Sequence, residues 1–353
     1  MYSTEEQRAL FELSKAYLEP ESPLKRQSPD QQLAALRRIL VYHEYRYYIL
    51  NDPVVSDYEY DQLYKQLEAL EMAHPEMVTP DSPTQRVSAD LVSDFPSVEH
   101  LTPMLSLANS YNAEDLAEFD AQIKRYLNLP AEMDIEYSVE PKFDGGSIAA
   151  VYENGQLVRA ATRGNGMMGE EMTHNARAIR SIPLKADFAR FGIHKVELRG
   201  EVLIRKDIFE KINKKRAEEG LTLFANARNT ATGGLRMKDP QEVAKRGLEA
   251  FIYTLGYAID KDGNDILSRF STHSESLDML AQLGFKVPIL GQERDIFKNI
   301  GEAVGFCLAW QDKREAYPYE IDGMVVKANS RELQERSGST SHHPRWAIAF
   351  KFK

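Results

Sequence analysis

The stretch IEYSVEPKFDGGSIAAVYENGQLVRAAT, residues 135–162, alternates apolar and polar positions in three short runs, over 135–139, 147–152 and 157–162. That period predicts strands with one solvated face, as antiparallel sheets have. Asn154 and Gly155 separate the second run from the third. Asn-Gly is the dipeptide of a two-residue hairpin, whose two central positions both need positive φ. Between the first run and the second stand Lys142, Phe143, Asp144, Gly145 and Gly146. A lysine is therefore expected just past a strand end, beside glycines that let a ligand come close to the backbone.

Outward from this hairpin, strands are predicted over 195–204, 251–257, 324–328 and 346–352, and helices over 114–127, 207–219 and 274–283. Gly220 and Gly284 follow the last two helices as C-terminal stops. The class is α+β. Nearer the start, Thr4 with Gln7, Ser28 with Pro29 and Gln31, and Ser56 with Glu59 mark three helix N-termini. The second helix is expected to reach about Leu50, and the third to carry the stripe Leu63, Leu67, Leu70 and to end before Pro75. Pro75, Pro80, Pro83, Pro96 and Pro103 then argue against regular elements over 75–103, which reads as an interdomain connection. The division is a small all-helical domain over 1–95 and a larger domain over 96–353.

At 353 residues and 42% hydrophobic, the chain can bury a full core in two or three domains, and no long uncharged apolar run could span a membrane. The first 18 residues include Glu5, Glu6, Arg8, Glu12 and Lys15, which suits neither a secretory signal nor a transit peptide, so a cytoplasmic location is expected. The single cysteine, Cys307, excludes a disulfide framework or a Cys-x-x-Cys zinc site within these residues, and packing is its expected role. The net charge of -10 is concentrated at the front: residues 1–100 hold 18 acidic against 9 basic side chains, and the rest 36 against 35. Any grip on a phosphate backbone should then come from later clusters such as Lys211, Lys214, Lys215 and Arg216. A solvated helix face accounts for that cluster equally well.

Lys-x-Asp-Gly alone is weak, recurring by chance in roughly one chain of this length in ten. Its weight comes from the ordered series downstream of it: Arg163-Gly164, Arg199-Gly200-Glu201, Ile321-Asp322-Gly323-Met324-Val325-Val326-Lys327 and Ala349-Phe350-Lys351. These resemble the five nucleotide-contacting motifs of the covalent nucleotidyltransferase superfamily. Pro103-Met104-Leu105-Ser106-Leu107, Ala161-Thr162-Arg163-Gly164, Phe224-Ala225-Asn226, Arg228-Asn229 and Pro344-Arg345-Trp346-Ala347 are similar to the bacterial NAD-dependent DNA ligases in particular. The resemblance runs from about Asp30 to the end.

It implies a helical domain binding nicotinamide mononucleotide (NMN), followed by an adenylation fold with antiparallel sheets and flanking helices. Lys142 would take AMP from NAD and release NMN. The full-length enzyme would then pass AMP to a 5′-phosphate at a nick in double-stranded DNA and seal it, in replication and repair. An amine attacking phosphorus must be unprotonated, whereas free lysine titrates near 10.4. Lys327 and Lys351 are implied at the α-phosphate, where two cations would oppose protonation of the nucleophile and stabilise developing charge. Asp144 belongs to the nucleophile's motif. Glu201 is implied beside the reacting phosphate with Mg²⁺, which prefers oxygen ligands. Glu140 is implied at the adenosine, and Ser106, Leu107, Arg163 and Arg228 around the nucleotide. No general acid is needed, since the leaving phosphate is a stable anion. A monomer is expected, and zinc only in a C-terminal part of the family's chain beyond these residues, for the resemblance also implies that this is an N-terminal fragment.

Donor choice should lie in the helical domain. Asp57, Tyr60 and Asp61, spaced i, i+3, i+4, share a helix face, and Tyr47 and Tyr48 end the helix before it. The nicotinamide ring is cationic and suits tyrosines and carboxylates. Tyr47, Asp57, Tyr60 and Asp61 match the family's NMN module, although tyrosines on a helix face commonly just pack.

Gly164-Asn165-Gly166-Met167-Met168-Gly169 satisfies G-x-G-x-x-G and would suit a Rossmann dehydrogenase. The strand before it contains Arg159 and forms half of a hairpin, whereas a Rossmann first strand is parallel and apolar. A catalytically silent nucleotide-binding scaffold is the other alternative. Four positions depart from the family pattern: Tyr48 for His, Ala108 for Asp, Asn165 for Asp and Ala227 for Pro. Asn165 bears most on metal or NAD affinity, because it replaces a carboxylate near the phosphates.

Overall fold

The computed structural model describes residues 1–88, 90 and 92–353. Helices α1 (Thr4–Leu18), α2 (Pro29–Glu44) and α3 (Asp57–Ala73) form the first layer. Their facing stripes bury Tyr17, Leu33, Leu36, Ile39, Leu40, Leu63 and Leu67 in one core. Ser56 and Glu59 close a capping box on α3 as expected. On α1 the box is made by Ser3 with Glu6, one residue before the expected Thr4 with Gln7. Ser28 occupies the cap position of α2 without a side-chain cap bond, and Pro29 takes N1. That helix does continue toward Leu50, but Tyr45–Ile49 is wound as a π-helical segment, a form that recurs at functional sites.

The connection expected over 75–103 includes residues 89 and 91, which lie outside the described residues. It is not wholly irregular. Strand β1 (Ser97–Glu99) falls within it. Then come β2 (Ala108–Ser110), α4 (Ala113–Leu127), β3 (Tyr137–Phe143), β4 (Gly146–Glu153), β5 (Gln156–Thr162) and β6 (Met168–Glu170). After α5 (Thr173–Ala178) the chain forms β7 (Lys195–Ile204), α6 (Lys206–Glu218), α7 (Ala227–Leu235), α8 (Pro240–Lys245) and β8 (Leu248–Ile259). It closes with α9 (His273–Gln282), β9 (Asp295–Phe297), α10 (Ile300–Lys313), β10 (Ile321–Ala328), α11 (Arg331–Ser337) and β11 (Ala347–Lys351).

Among the described residues the strands make three sheets, in the orders β2-β11-β10-β3-β9, β5-β4-β7-β8 and β1-β6. Among the described residues all pairings between these strands are antiparallel except β2 on β11, where Ala108 lies beside Ile348. The expected hairpin forms, with positive φ at Asn154 and Gly155. The fold is therefore mixed helix and antiparallel sheet, and the Rossmann reading fails. Gly164 to Gly169 runs through the turn that follows β5 and into β6, with positive φ at Gly164 and Gly166. A Cβ at Gly164 would lie 1.9 Å from Met168 O.

The five-stranded sheet packs against α4 and α10, where Cys307 is buried as expected, its thiol pushed up to about 12 by that burial. The four-stranded sheet has its own core with α5 and α7–α9. Across the gap between sheets, Phe143 stacks on Phe251 at 4.4 Å between centroids. Asp144 and Gly145 alone join β3 to β4 along the chain, so the Lys142-Phe143-Asp144-Gly145 motif sits where the chain passes from one sheet to the other. A Cβ at Gly145 would meet Val202 O at 2.1 Å, which is why glycine is needed there. Among the described residues no helix is long and apolar enough to cross a membrane.

Candidate active site

Lys142 lies within β3 rather than beyond it, since the strand runs through Phe143 instead of ending near Val139. It is paired with Gly323 of β10, and Gly323 in turn with Lys351 of β11. The two lysines therefore flank a residue with no side chain. Side chains two apart on a strand share a face, so Glu140, Lys142, Val325, Lys327 and Lys351 line one floor. That floor and part of the four-stranded sheet enclose a cleft of about 1000 Å³.

Strict alternation would turn Asp322 away from this floor. The ladder between β10 and β3 instead slips between Ile321 and Gly323, making Asp322 the extra residue of a bulge, a device that re-aims a side chain. Its carboxylate lies 3.2 Å from Lys142 Nζ and 2.6 Å from Lys351 Nζ. The charge partnered with Lys142 is thus an anion shared with Lys351, not the pair of bare cations that the sequence suggested.

The other expected cation, Lys327, is also paired: Nζ donates to Glu140 Oε1 at 2.5 Å and to Tyr253 O at 3.2 Å. Glu140 is 1% exposed, and His273 Nε2 stands 3.1 Å from its second oxygen. Burial alone would raise the Glu140 carboxyl, but Lys327 and His273 outweigh it and hold it at about 2. For Lys327, burial prevails over the attraction of Glu140 and lowers the ammonium. Burial and the charge of Lys327 hold His273 down at about 4.

Glu201 comes from β7 on the opposite wall. Its oxygens accept from Gly145 N–H at 3.3 Å and from Ser147 Oγ at 3.2 Å. Burial pushes its carboxyl up to about 7 despite those bonds and the charge of Lys142. At the rim, Arg163 donates to Ser106 Oγ at 2.7 Å, Arg228 pairs with Asp144 at 3.2 Å, and Leu107 completes the edge.

Tyr47, Asp57, Tyr60 and Asp61 do not line this cleft. Tyr47, Asp57 and Asp61 are exposed. Tyr60 donates to Glu44 at 3.2 Å, and burial drives its hydroxyl well above the usual range. The Arg180 guanidinium of the larger domain lies 5.9 Å from the Tyr48 ring centroid and 4.0 Å from Glu44. Lys286 Nζ, also from the larger domain, donates to Tyr48 O at 3.1 Å. The helical layer is docked, in this arrangement, away from Lys142.

Residues 92–353 match the family described as NAD-dependent DNA ligase adenylation domain. The chain belongs to that family. Residues 26–88 match a second, the DNA ligase-like, N-terminal NAD+-binding domain, so a nucleotide-binding role for the helical layer is a family property. Proteins named DNA ligase are similar along most or all of the chain. That of Sulfurihydrogenibium azorense is 51% identical over 100% of this chain and 50% of its own length. Those of Persephonella marina and Aquifex aeolicus are 54% and 52% identical over 90% of this chain, covering 44% and 43% of theirs. The chain thus spans about half the length of these relatives.

Of the positions that depart from the family pattern, Asn165 has a local role: its side-chain oxygen accepts from Met167 N–H and Met168 N–H, closing the turn. Ala227 takes the first position of α7 behind the Asn226 cap, where proline is merely well suited. Ala108 packs half-buried on the core beside β11. Two functional candidates are not legible in the sequence. Asp322 belongs to a motif that gives it no role there, because only the bulge aims it. His273 reaches Glu140 across 133 residues, and no local signal marks it.

Proposed function

We propose that Lys142 Nζ attacks the α-phosphorus of NAD, forming a P–N bond to AMP while the pyrophosphate P–O bond breaks and its electron pair leaves on NMN. One observation carries this reading: Lys142 and Lys351 flank Gly323 in register on the cleft floor with the Asp322 carboxylate between them. The proton that Nζ must shed has that carboxylate within reach as acceptor. Lys351 and Lys327 would meet the phosphoryl oxygens, Lys351 by exchanging Asp322 for phosphate and Lys327 with the third of its ammonium hydrogens, the other two staying on Glu140 and Tyr253 O. Glu140 would take the adenosine end. Arg163, Ser106, Leu107 and Arg228 would surround ribose and phosphates, with Asp144 orienting Arg228. Tyr47, Asp57, Tyr60 and Asp61 would bind NMN, which requires the helical layer to leave its docked position.

Among the described residues no cluster of three or more His, Cys, Asp or Glu side chains is placed to hold a metal. Glu201 could offer one oxygen to Mg²⁺, and an ion wanting six would draw the rest from substrate phosphates and water. Such an ion would offset charge at the phosphates.

For the longer protein we propose transfer of AMP to a 5′-phosphate at a nick in double-stranded DNA, as a cytoplasmic monomer, with a domain boundary near residue 95. The matched ranges 26–88 and 92–353 support that boundary.

Intact mass after incubation with NAD tests the central claim. An AMP adduct lost in Lys142→Ala is expected. NAD binding without any retained AMP would leave a silent scaffold instead, and equal labelling by ATP would remove the role given to the helical layer.

A further inference from the structure

His273, the first residue of α9, does not line the cleft, yet its ring reaches the back of a carboxylate that does. Its place is fixed at the backbone. His273 N–H donates to Asn329 O at 2.8 Å, and Ser276 Oγ donates to His273 O at 2.6 Å. The side chain is 3% exposed, so the ring is enclosed. With Lys327 donating to one oxygen of Glu140, the short contact to the other makes Nε2–H the donor from His273.

A carboxylate oxygen accepts more than one hydrogen bond. Glu140, gripped from behind by two donors, keeps lone pairs toward the cleft and presents only acceptors there. Lys327 alone would tie one oxygen and leave the carboxylate free to pivot about it. The second donor removes that freedom. An acceptor fixed in this way favours a base edge carrying an exocyclic amine over one carrying a carbonyl, because the carbonyl leaves two acceptors facing one another.

We propose that His273 is a positioning residue for base selection: it locks Glu140 so that the cleft distinguishes an amino-bearing purine from its oxo counterpart. The proposal rests on the reading of the cleft as the site of lysyl-AMP formation and assigns the base end of that site.

The test compares adduct formation from NAD with that from nicotinamide hypoxanthine dinucleotide, in which a carbonyl replaces the amine. The proteins are wild type, His273→Leu, which keeps volume but loses the donor, and His273→Gln, which keeps a donor. His273→Asn, too short to reach Glu140, supplies a second donor-loss variant should the leucine variant fail to fold. In the donor-loss variant the concentration of NAD giving half-maximal rate should rise about tenfold with the maximal rate within about twofold, and the preference for NAD should shrink about tenfold. His273→Gln should restore both. Unchanged preference in His273→Leu, or a loss equal for both dinucleotides that tracks a lower melting temperature, would show that His273 is only scaffold. Wild type failing to label with NAD at all would instead defeat the reading of Lys142, so the two failures are told apart.

Discussion

Lys142 Nζ stands 3.2 Å from the carboxylate of Asp322, a residue 180 positions away that a bulge turns onto the cleft floor. The same carboxylate holds Lys351 Nζ at 2.6 Å. Asp322→Asn keeps the shape but leaves two ammonium groups facing each other with no anion between them. AMP-adduct formation at neutral pH should slow on the order of 100-fold, the scale of losing a positioned proton acceptor. Rates should be followed at pH 7 and pH 9. The defect should narrow at the higher pH, where hydroxide can take the proton. A defect that stays constant would mean that Asp322 orients the lysine without accepting from it.

Gly323 is the gap that lets the two lysines stand side by side. A Cβ there would sit 2.0 Å from Phe350 O and 3.2 Å from Lys351 Cα, both backbone atoms. Gly323→Ala must therefore push β11 away from β10, at a cost of about 1–3 kcal/mol for overpacking. Both melting temperature and adduct yield should fall. Gly305→Ala, in α10 where nothing lies within 4 Å, is the control and should be neutral or stabilising by about 0.5–1 kcal/mol. Equal behaviour of the two variants in thermal melts would contradict this account of the floor.

Glu201 predicts a pH dependence. Its folded-state carboxyl is raised to about 7 from an ordinary value of 4.5, so the protonated form is the one the fold favours. The stabilisation is complete below the ordinary value, declines between roughly pH 4.5 and 7, and is gone above that range. Glu201→Gln should remove this slope and melt higher than wild type above pH 7. Thermal unfolding from pH 4.5 to 8.5 measures it. A wild-type curve parallel to that of the variant would place the ionisation elsewhere. A cation drawn to the carboxylate should flatten the wild-type slope, because bound Mg²⁺ changes the cost of its charge.

Local patterns of short period are the part of this fold that the sequence makes legible. The runs around Lys142 and the Asn154-Gly155 turn specify antiparallel strands directly, and Ser56 with Glu59 specifies the start of α3. Ambiguity begins where two local patterns compete. Ser3 with Glu6 and Thr4 with Gln7 both fit a capping box, and it is the first that forms. Helix α7, whose sequence includes Thr230, Thr232, Gly233 and Gly234, has little intrinsic helix preference and is held by its contact with β7. Helix α10 does carry a local start signal, Asn299 with Glu302, but no stop signal to match it. Asp322 and His273 were beyond reach for a different reason: a ladder slip and a contact spanning 133 residues leave no periodic trace.

Arg180 yields the last prediction. Its guanidinium faces the Tyr48 ring at 5.9 Å and Glu44 at 4.0 Å, and Glu44 also accepts from Tyr60 and Arg86. A cation of the larger domain thus occupies aromatic and acidic surface of the kind proposed for the cationic nicotinamide ring. Since none of Tyr47, Asp57, Tyr60 and Asp61 lines the cleft of Lys142, using both sites on one NAD molecule requires these contacts to break. Arg180→Met keeps the apolar stem and removes the charge, so undocking becomes easier. The NAD concentration giving half-maximal adduct formation should fall severalfold, while the maximal rate changes little, because a competent arrangement that is more populated binds with less penalty. Small-angle scattering without NAD should show a larger radius of gyration for the variant. A higher NAD requirement in Arg180→Met would reverse the assignment and make Arg180 a contact of the dinucleotide itself.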